Sequence, residues 1–194
     1  VKALIARAEE AFGPVDLFCA NAGVAVGIGL EDDEAVWDTA FGVNIRSHIY
    51  AAKALVPGWV ERGSGYFLTT ASAAGIVSQI GSAPYAVTKH AAVAFAEWLS
   101  LTYRHRGIKV HAICPQGVRT DMLTASGSAG ELVLQSTAIE PADVADALFK
   151  GIEEDRFLIL PHPFVAEFYQ ARAGDPDRWL DSMNRVQQKW EEVR

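Results

Sequence analysis

Residues Val15 to Gly23 read VDLFCANAG. The first six are short and mostly apolar, and Asn-Ala-Gly follows at once, so the pattern predicts a strand over 15–20 that ends in a polar turn. The same order returns twice. YFLTTA, Tyr66 to Ala71, runs into Ser72, and KVHAICP, Lys109 to Pro115, runs into Gln116-Gly117-Val118-Arg119-Thr120. FLIL at Phe157 to Leu160 is a fourth apolar run. Strands that are apolar throughout and separated by long helical patterns form a parallel sheet covered on both faces. The expected fold is a three-layer α/β domain. In such folds ligands bind beyond the carboxyl ends of the strands, which is where the polar and glycine residues cluster here.

Working outward, a helix is expected near the start, with Leu4, Ala8, Ala11 and Phe12 on one apolar face and Gly13-Pro14 as its stop. A long helix from about 33 to 62 is expected to kink or break near Pro57-Gly58. Another spans about 84 to 105, and Pro141 opens one whose face is Val144, Leu148 and Ile152. DPDRWLDSMNRVQQKW forms a closing surface helix. Residues 120–140, rich in Gly, Ser and Thr, suit a mobile substrate lid. No repeat or linker divides the chain, so 1–194 reads as one domain.

The 194 residues are half apolar, enough for one sizeable core, and carry a formal charge of −7. That charge argues against nucleic acid or an anionic membrane surface as partner. No apolar run approaches the roughly 18 residues that span a bilayer, and no secretory leader is visible. Cys19 and Cys114 sit inside apolar runs, the pattern of buried thiols in a reducing, cytoplasmic setting. The five histidines show no metal-ligand spacing and are expected to be structural or solvated, so no metal is expected.

Within SAPYAVTKHAAVAF, Ser82 to Phe95, Tyr85 and Lys89 stand four residues apart and share a helix face. A free phenol has a pKa near 10, about three units too high for a base at pH 7, or roughly 4 kcal/mol. One cation at about 4 Å in an effective dielectric of about 20 supplies attraction of that order. The pair alone arises often by chance; its neighbours carry the argument.

Five motifs in order resemble the short-chain dehydrogenases/reductases: ANAG (Ala20 to Gly23) after a strand, VNIRSH with Asn44, TTASAAG with Ser72 thirteen residues ahead of Tyr85, YAVTK, and CPQGVRT with Thr120. EPADVADAL is similar to the start of the family's late helix. The resemblance implies a Rossmann-like, doubly wound parallel sheet, and hydride transfer between NAD or NADP and a small-molecule secondary alcohol or ketone. It implies Tyr85 as the acid/base, Lys89 lowering its pKa and bonding the nicotinamide ribose, Ser72 holding the substrate oxygen, and Asn44 holding a relay water. Asn21, Ala22, Gly23, Pro115, Val118 and Thr120 would flank the cofactor, together with Tyr85 and Lys89. It also implies a homo-oligomer, at least a dimer, built on the helices at 33–62 and 84–105.

Three departures stand out. Ala20 replaces the first asparagine of the family's Asn-Asn-Ala-Gly, and Gln116 is inserted into its Pro-Gly turn. The glycine-rich phosphate turn of the family is absent, which leads us to expect an N-terminally incomplete domain, with roughly 60 or more residues preceding Val1. GVAVGIG, Gly23 to Gly29, opens no helix directly and does not replace it. A non-catalytic scaffold protein of the same fold, or a lyase or epimerase using the same cofactor, would fit many of the same residues.

Overall fold

The computed structural model describes residues 1–126 and 134–193. In it the four apolar runs pair into one parallel sheet. β1 (Leu17–Ala20), β2 (Gly65–Thr70), β3 (Ile108–Ile113) and β4 (Leu158–Ile159) lie side by side in chain order. Ala20 is in register with Thr69, Thr70 with Ile113, and Ile113 with Ile159, so the carboxyl ends of all four strands line one edge of the sheet.

The helices fill the crossovers. α1 (Lys2–Phe12) precedes β1. α2 (Glu34–Phe41), a π-helical turn (Gly42–Arg46) and α3 (Ser47–Arg62) join β1 to β2. α4 (Ala83–Tyr103) joins β2 to β3, α5 (Asp121–Thr124) and α6 (Pro141–Glu153) lie between β3 and β4, and α7 (Phe164–Gly174) and α8 (Pro176–Val193) follow β4. Alternation along the strands sends neighbours to opposite faces. Phe67, Val110 and Ala112 meet Ile5, Leu55, Trp59 and Leu99 of α1, α3 and α4 on one side. On the other, Ile159, in register with Ile113, packs against Gly151 of α6. The Trp59 indole donates to the Val15 carbonyl at 2.7 Å and ties α3 to the approach to β1.

The structure corrects several expectations. The long helix breaks at Gly42–Arg46, not at Pro57-Gly58. Pro57 lies on the exposed side of α3, where water can satisfy the carbonyl one turn back, and the helix runs on. On α1 the buried residue is Ile5, while Leu4 and Phe12 are 64% and 91% exposed; α3 is met from the flank of the expected face. Cys19, on β1, is exposed and Cys114 is buried; neither forms a disulfide. The aromatic stretch 164–174 is helical, with Phe164, Phe168 and Trp179 in edge and tilted ring contacts at 5.5 and 5.9 Å. The middle of the expected lid, 127–133, lies outside the described residues.

Candidate active site

α4 is where the site begins. Ser82 caps it, its hydroxyl accepting from the Tyr85 amide at 3.4 Å, and Pro84 pre-sets the first turn. Tyr85 and Lys89 then fall on successive turns of one face. The Lys89 amine lies 5.6 Å from the Tyr85 ring centre and donates to the Thr70 carbonyl at 2.9 Å, where β2 ends.

Ser72 comes from the turn after β2. Its hydroxyl accepts from the Ala74 amide at 3.1 Å and donates to the Pro115 carbonyl at 3.5 Å, and it stands close enough to Tyr85 to favour the phenolate. The turn behind it, Ala73–Gly75, lies directly on α4. A Cβ at Gly75 would stand 2.6 Å from the Lys89 carbonyl oxygen, so only glycine lets this turn press against the helix and bring Ser72 to Tyr85.

Asn44 sits in the π-helical turn, fully buried. Its Oδ1 accepts from the Val24 amide at 2.8 Å, and its Nδ2 donates to the Val24 carbonyl at 2.9 Å and to the Thr88 hydroxyl at 3.0 Å. The two amide hydrogens are thus spent on holding the loop after β1 to α4. For the expected relay water, the side chain keeps only the second lone pair of Oδ1. The extra residue of a π turn is what rotates Asn44 onto Val24 and Thr88, and such turns gather at functional sites.

Burial dominates the electrostatics. It pushes the Tyr85 phenol above its usual value, against the Ser72 hydrogen bond and with help from Cys114. The expected lowering by Lys89 is therefore not found in this chain by itself. Burial also pulls Lys89 down to about 8, with Cys114 opposing. Cys114 itself is pushed up to about 12, mainly by burial, which leaves its thiol protonated and inert. His48, one turn beyond Asn44, is held near 4 by burial and then by the Lys89 charge.

The remaining sequence candidates line the strand ends. Asn21 and Ala22 are exposed, and Gly23 runs so close to the site that a Cβ there would stand 3.2 Å from the Lys89 amine. Pro115 is buried, its carbonyl accepting from Ala73 at 2.8 Å, and Val118 and Thr120 lie further out on the same turn. Thr88 is a site neighbour that the sequence expectations pass over, and His162 enters them only among the five histidines expected to be structural or solvated. For Thr88 nothing in the sequence points to it, while His162 is marked by its two flanking prolines. Among the described residues no cluster of His, Cys, Asp or Glu could hold a metal ion, and no helix is long and apolar enough to cross a membrane.

A nicotinamide and its ribose fit this donor set. The Lys89 ammonium has three hydrogens and gives one to Thr70, and the segments 21–23 and 118–120, partly or fully exposed, lie on the same edge. The loop at Gly27–Gly29 cradles no phosphate: the amides of Ile28 and Gly29 both donate to the Asp32 carboxylate. Beside the start of α4 a groove of about 830 Å³ opens between residues 78–83 and α8, walled by Ile28, Trp179, Leu180, Met183 and Trp190.

Residues 1–130 match the family described as short chain dehydrogenase. The 1-deoxy-11-beta-hydroxypentalenate dehydrogenase of Streptomyces exfoliatus is 34% identical over 170 residues, covering 82% of this chain and 59% of that protein. Oxidoreductase UcpA of Salmonella typhimurium is 34% identical over 189 residues, covering 96% and 68%. A short chain dehydrogenase/reductase from Burkholderia phymatum, solved in complex with NAD, has a TM-score of 0.81 at 29% identity, over 91% of this chain and 71% of that one. The chain thus spans 59% and 68% of the length of the two curated relatives. Matched over most of its length in sequence and in fold, this chain belongs to the short-chain dehydrogenase family.

Proposed function

We propose that the protein is an oxidoreductase that moves hydride between NAD or NADP and a secondary alcohol or ketone, with Tyr85 as acid/base. The observation that carries this reading is that Ser72, Tyr85 and the buried Lys89 meet at the carboxyl ends of three parallel strands, with the Lys89 amine 5.6 Å from the Tyr85 ring centre and bonded to the Thr70 carbonyl. A bound nicotinamide supplies or accepts the hydride; the chain supplies position and the proton. Ser72 and Tyr85 together hold the substrate oxygen. In reduction Tyr85 gives its proton to that oxygen as the carbon takes hydride, and in oxidation the same proton returns. Burial keeps the phenol protonated at neutral pH, the form needed for reduction. For oxidation the phenol must lose its proton, which the positive charge of a bound oxidised nicotinamide would favour together with the adjacent Lys89 ammonium, and Asn44 fixes the loop along which the ribose lies.

The relatives support the reading in kind: one is a dehydrogenase of a hydroxylated pentalenate, and the Burkholderia phymatum structure is a complex with NAD. Free thiols at Cys19 and Cys114 agree with a reducing cytoplasm. The test is dinucleotide binding by the full-length protein, then turnover of a panel of secondary alcohols and ketones. Tyr85→Phe should cut kcat by about 10²- to 10⁴-fold with dinucleotide affinity nearly unchanged. Unchanged turnover in Tyr85→Phe, or binding without turnover across the panel, defeats the reading.

A further inference from the structure

His162 follows β4, flanked by Pro161 and Pro163, with 2% of its surface exposed. Its Nδ1 lies 3.1 Å from the Gln116 amide, which can only donate. Its Nε2 lies 3.1 Å from the Gly117 carbonyl, which can only accept. The two partners together demand a neutral ring with its hydrogen on Nε2. The imidazole therefore bridges consecutive main-chain groups of the turn after β3, at the residue inserted into the family's Pro-Gly.

The rest of this turn is trussed as fully. The Gln116 Oε1 accepts from the Thr137 hydroxyl at 2.7 Å. The Gly117 carbonyl takes a second hydrogen bond from the Ile139 amide at 3.1 Å, and the Ile139 carbonyl accepts from Arg119 at 2.9 Å. Phe164 stands edge-on to the imidazole at 5.5 Å and closes its outer side. Arg119, on the same turn, pairs with Glu140 at 3.1 Å, and among the described residues no charged group acts on the His162 ring.

We infer that His162, as the Nε2–H tautomer, is a positioning residue that sets the Gln116–Thr120 turn against the nicotinamide. The inference rests on the proposed dinucleotide site, since Val118 and Thr120 belong to that turn. A second proton on the ring would set an Nδ1–H against the Gln116 N–H and break the bridge. Burial holds His162 below its ordinary value, partly offset by the carbonyls of Gly117 and Thr137, so the bridge is intact at neutral pH and fails in acid.

The test uses the full-length protein with NAD and NADP as probes and two variants. His162→Gln keeps an acceptor and a donor of similar reach but does not titrate; His162→Leu removes both. The expected result is a dinucleotide Kd weakened on the order of tenfold in His162→Leu and restored to within about threefold in His162→Gln. Wild-type affinity should fall as the pH is taken progressively below about 6.5, the ordinary histidine value, while that of His162→Gln stays flat. Nitrogen NMR of the wild-type ring at pH 7 should show Nε2 protonated and Nδ1 bare. A folded His162→Leu with wild-type affinity, a bare Nε2, or a His162→Gln that keeps the acid loss overturns the inference. Should His162→Leu not fold, the pH profile of His162→Gln and the NMR decide. A wild-type protein that binds neither dinucleotide defeats the reading of the site itself, a result separate from these.

Discussion

Replacing Lys89 by methionine should make the protein harder to unfold at neutral pH while removing its activity. The amine is 3% exposed and burial moves it from 10.5 to about 8. That displacement corresponds to about 3 kcal/mol against the charged form. The folded pKa lies below the unfolded one, so between about pH 8 and 10.5 the unfolded chain holds more protons and stability rises with pH; below about 8 the whole penalty is present. Methionine keeps the stem and removes the charge, but it leaves the Thr70 carbonyl short of a partner, at about 1–2 kcal/mol. The variant should therefore gain about 1–2 kcal/mol at pH 7, and the gain should shrink and reverse towards pH 10.5. Urea unfolding of both proteins at pH 6.5, 8, 9.5 and 10.5, at fixed ionic strength, measures this directly. A Lys89→Met protein that is less stable at pH 7, or a difference that does not move with pH, refutes the reasoning.

Two further outcomes follow from the same geometry. Asn44→Ala removes three hydrogen bonds around a buried amide and should cost about 2–4 kcal/mol in urea unfolding, with a larger effect on KM for the dinucleotide than Thr88→Val; a loss under about 0.5 kcal/mol contradicts it. Trp98 and Leu101 are 52% and 78% exposed on α4, so if copies of the chain associate through this helix, Trp98→Glu with Leu101→Glu should lower the mass seen by sedimentation. An unchanged mass places any association elsewhere.

The sheet and the placing of Tyr85 and Lys89 on one helix face were legible because they rest on local pattern. Apolar runs ending in glycine or polar residues gave four strands, each placed within two residues of its observed bounds. The four-residue spacing of Tyr85 and Lys89 is a helix property that needs no tertiary knowledge. What stayed hidden depends on contacts between distant segments. The π turn at Gly42–Arg46 is marked only by a lone glycine, whereas Pro57, the stronger breaker, is harmless on a solvent face. The direction of the Tyr85 shift needed burial as well as a cation, and a sequence offers only the cation. His162 shows its role only once β4 lies beside the turn after β3.

The π turn makes chain length itself a variable of the site. An α-helix turns about 100° per residue, so deleting one residue between Gly42 and Arg46 would let α2 and α3 fuse into a regular helix while swinging Asn44 away from Val24 and Thr88. Such a deletion improves the local geometry and dismantles the junction in one step. It would leave the strands, Tyr85 and Lys89 in place, yet free the loop after β1 from the helix that anchors it.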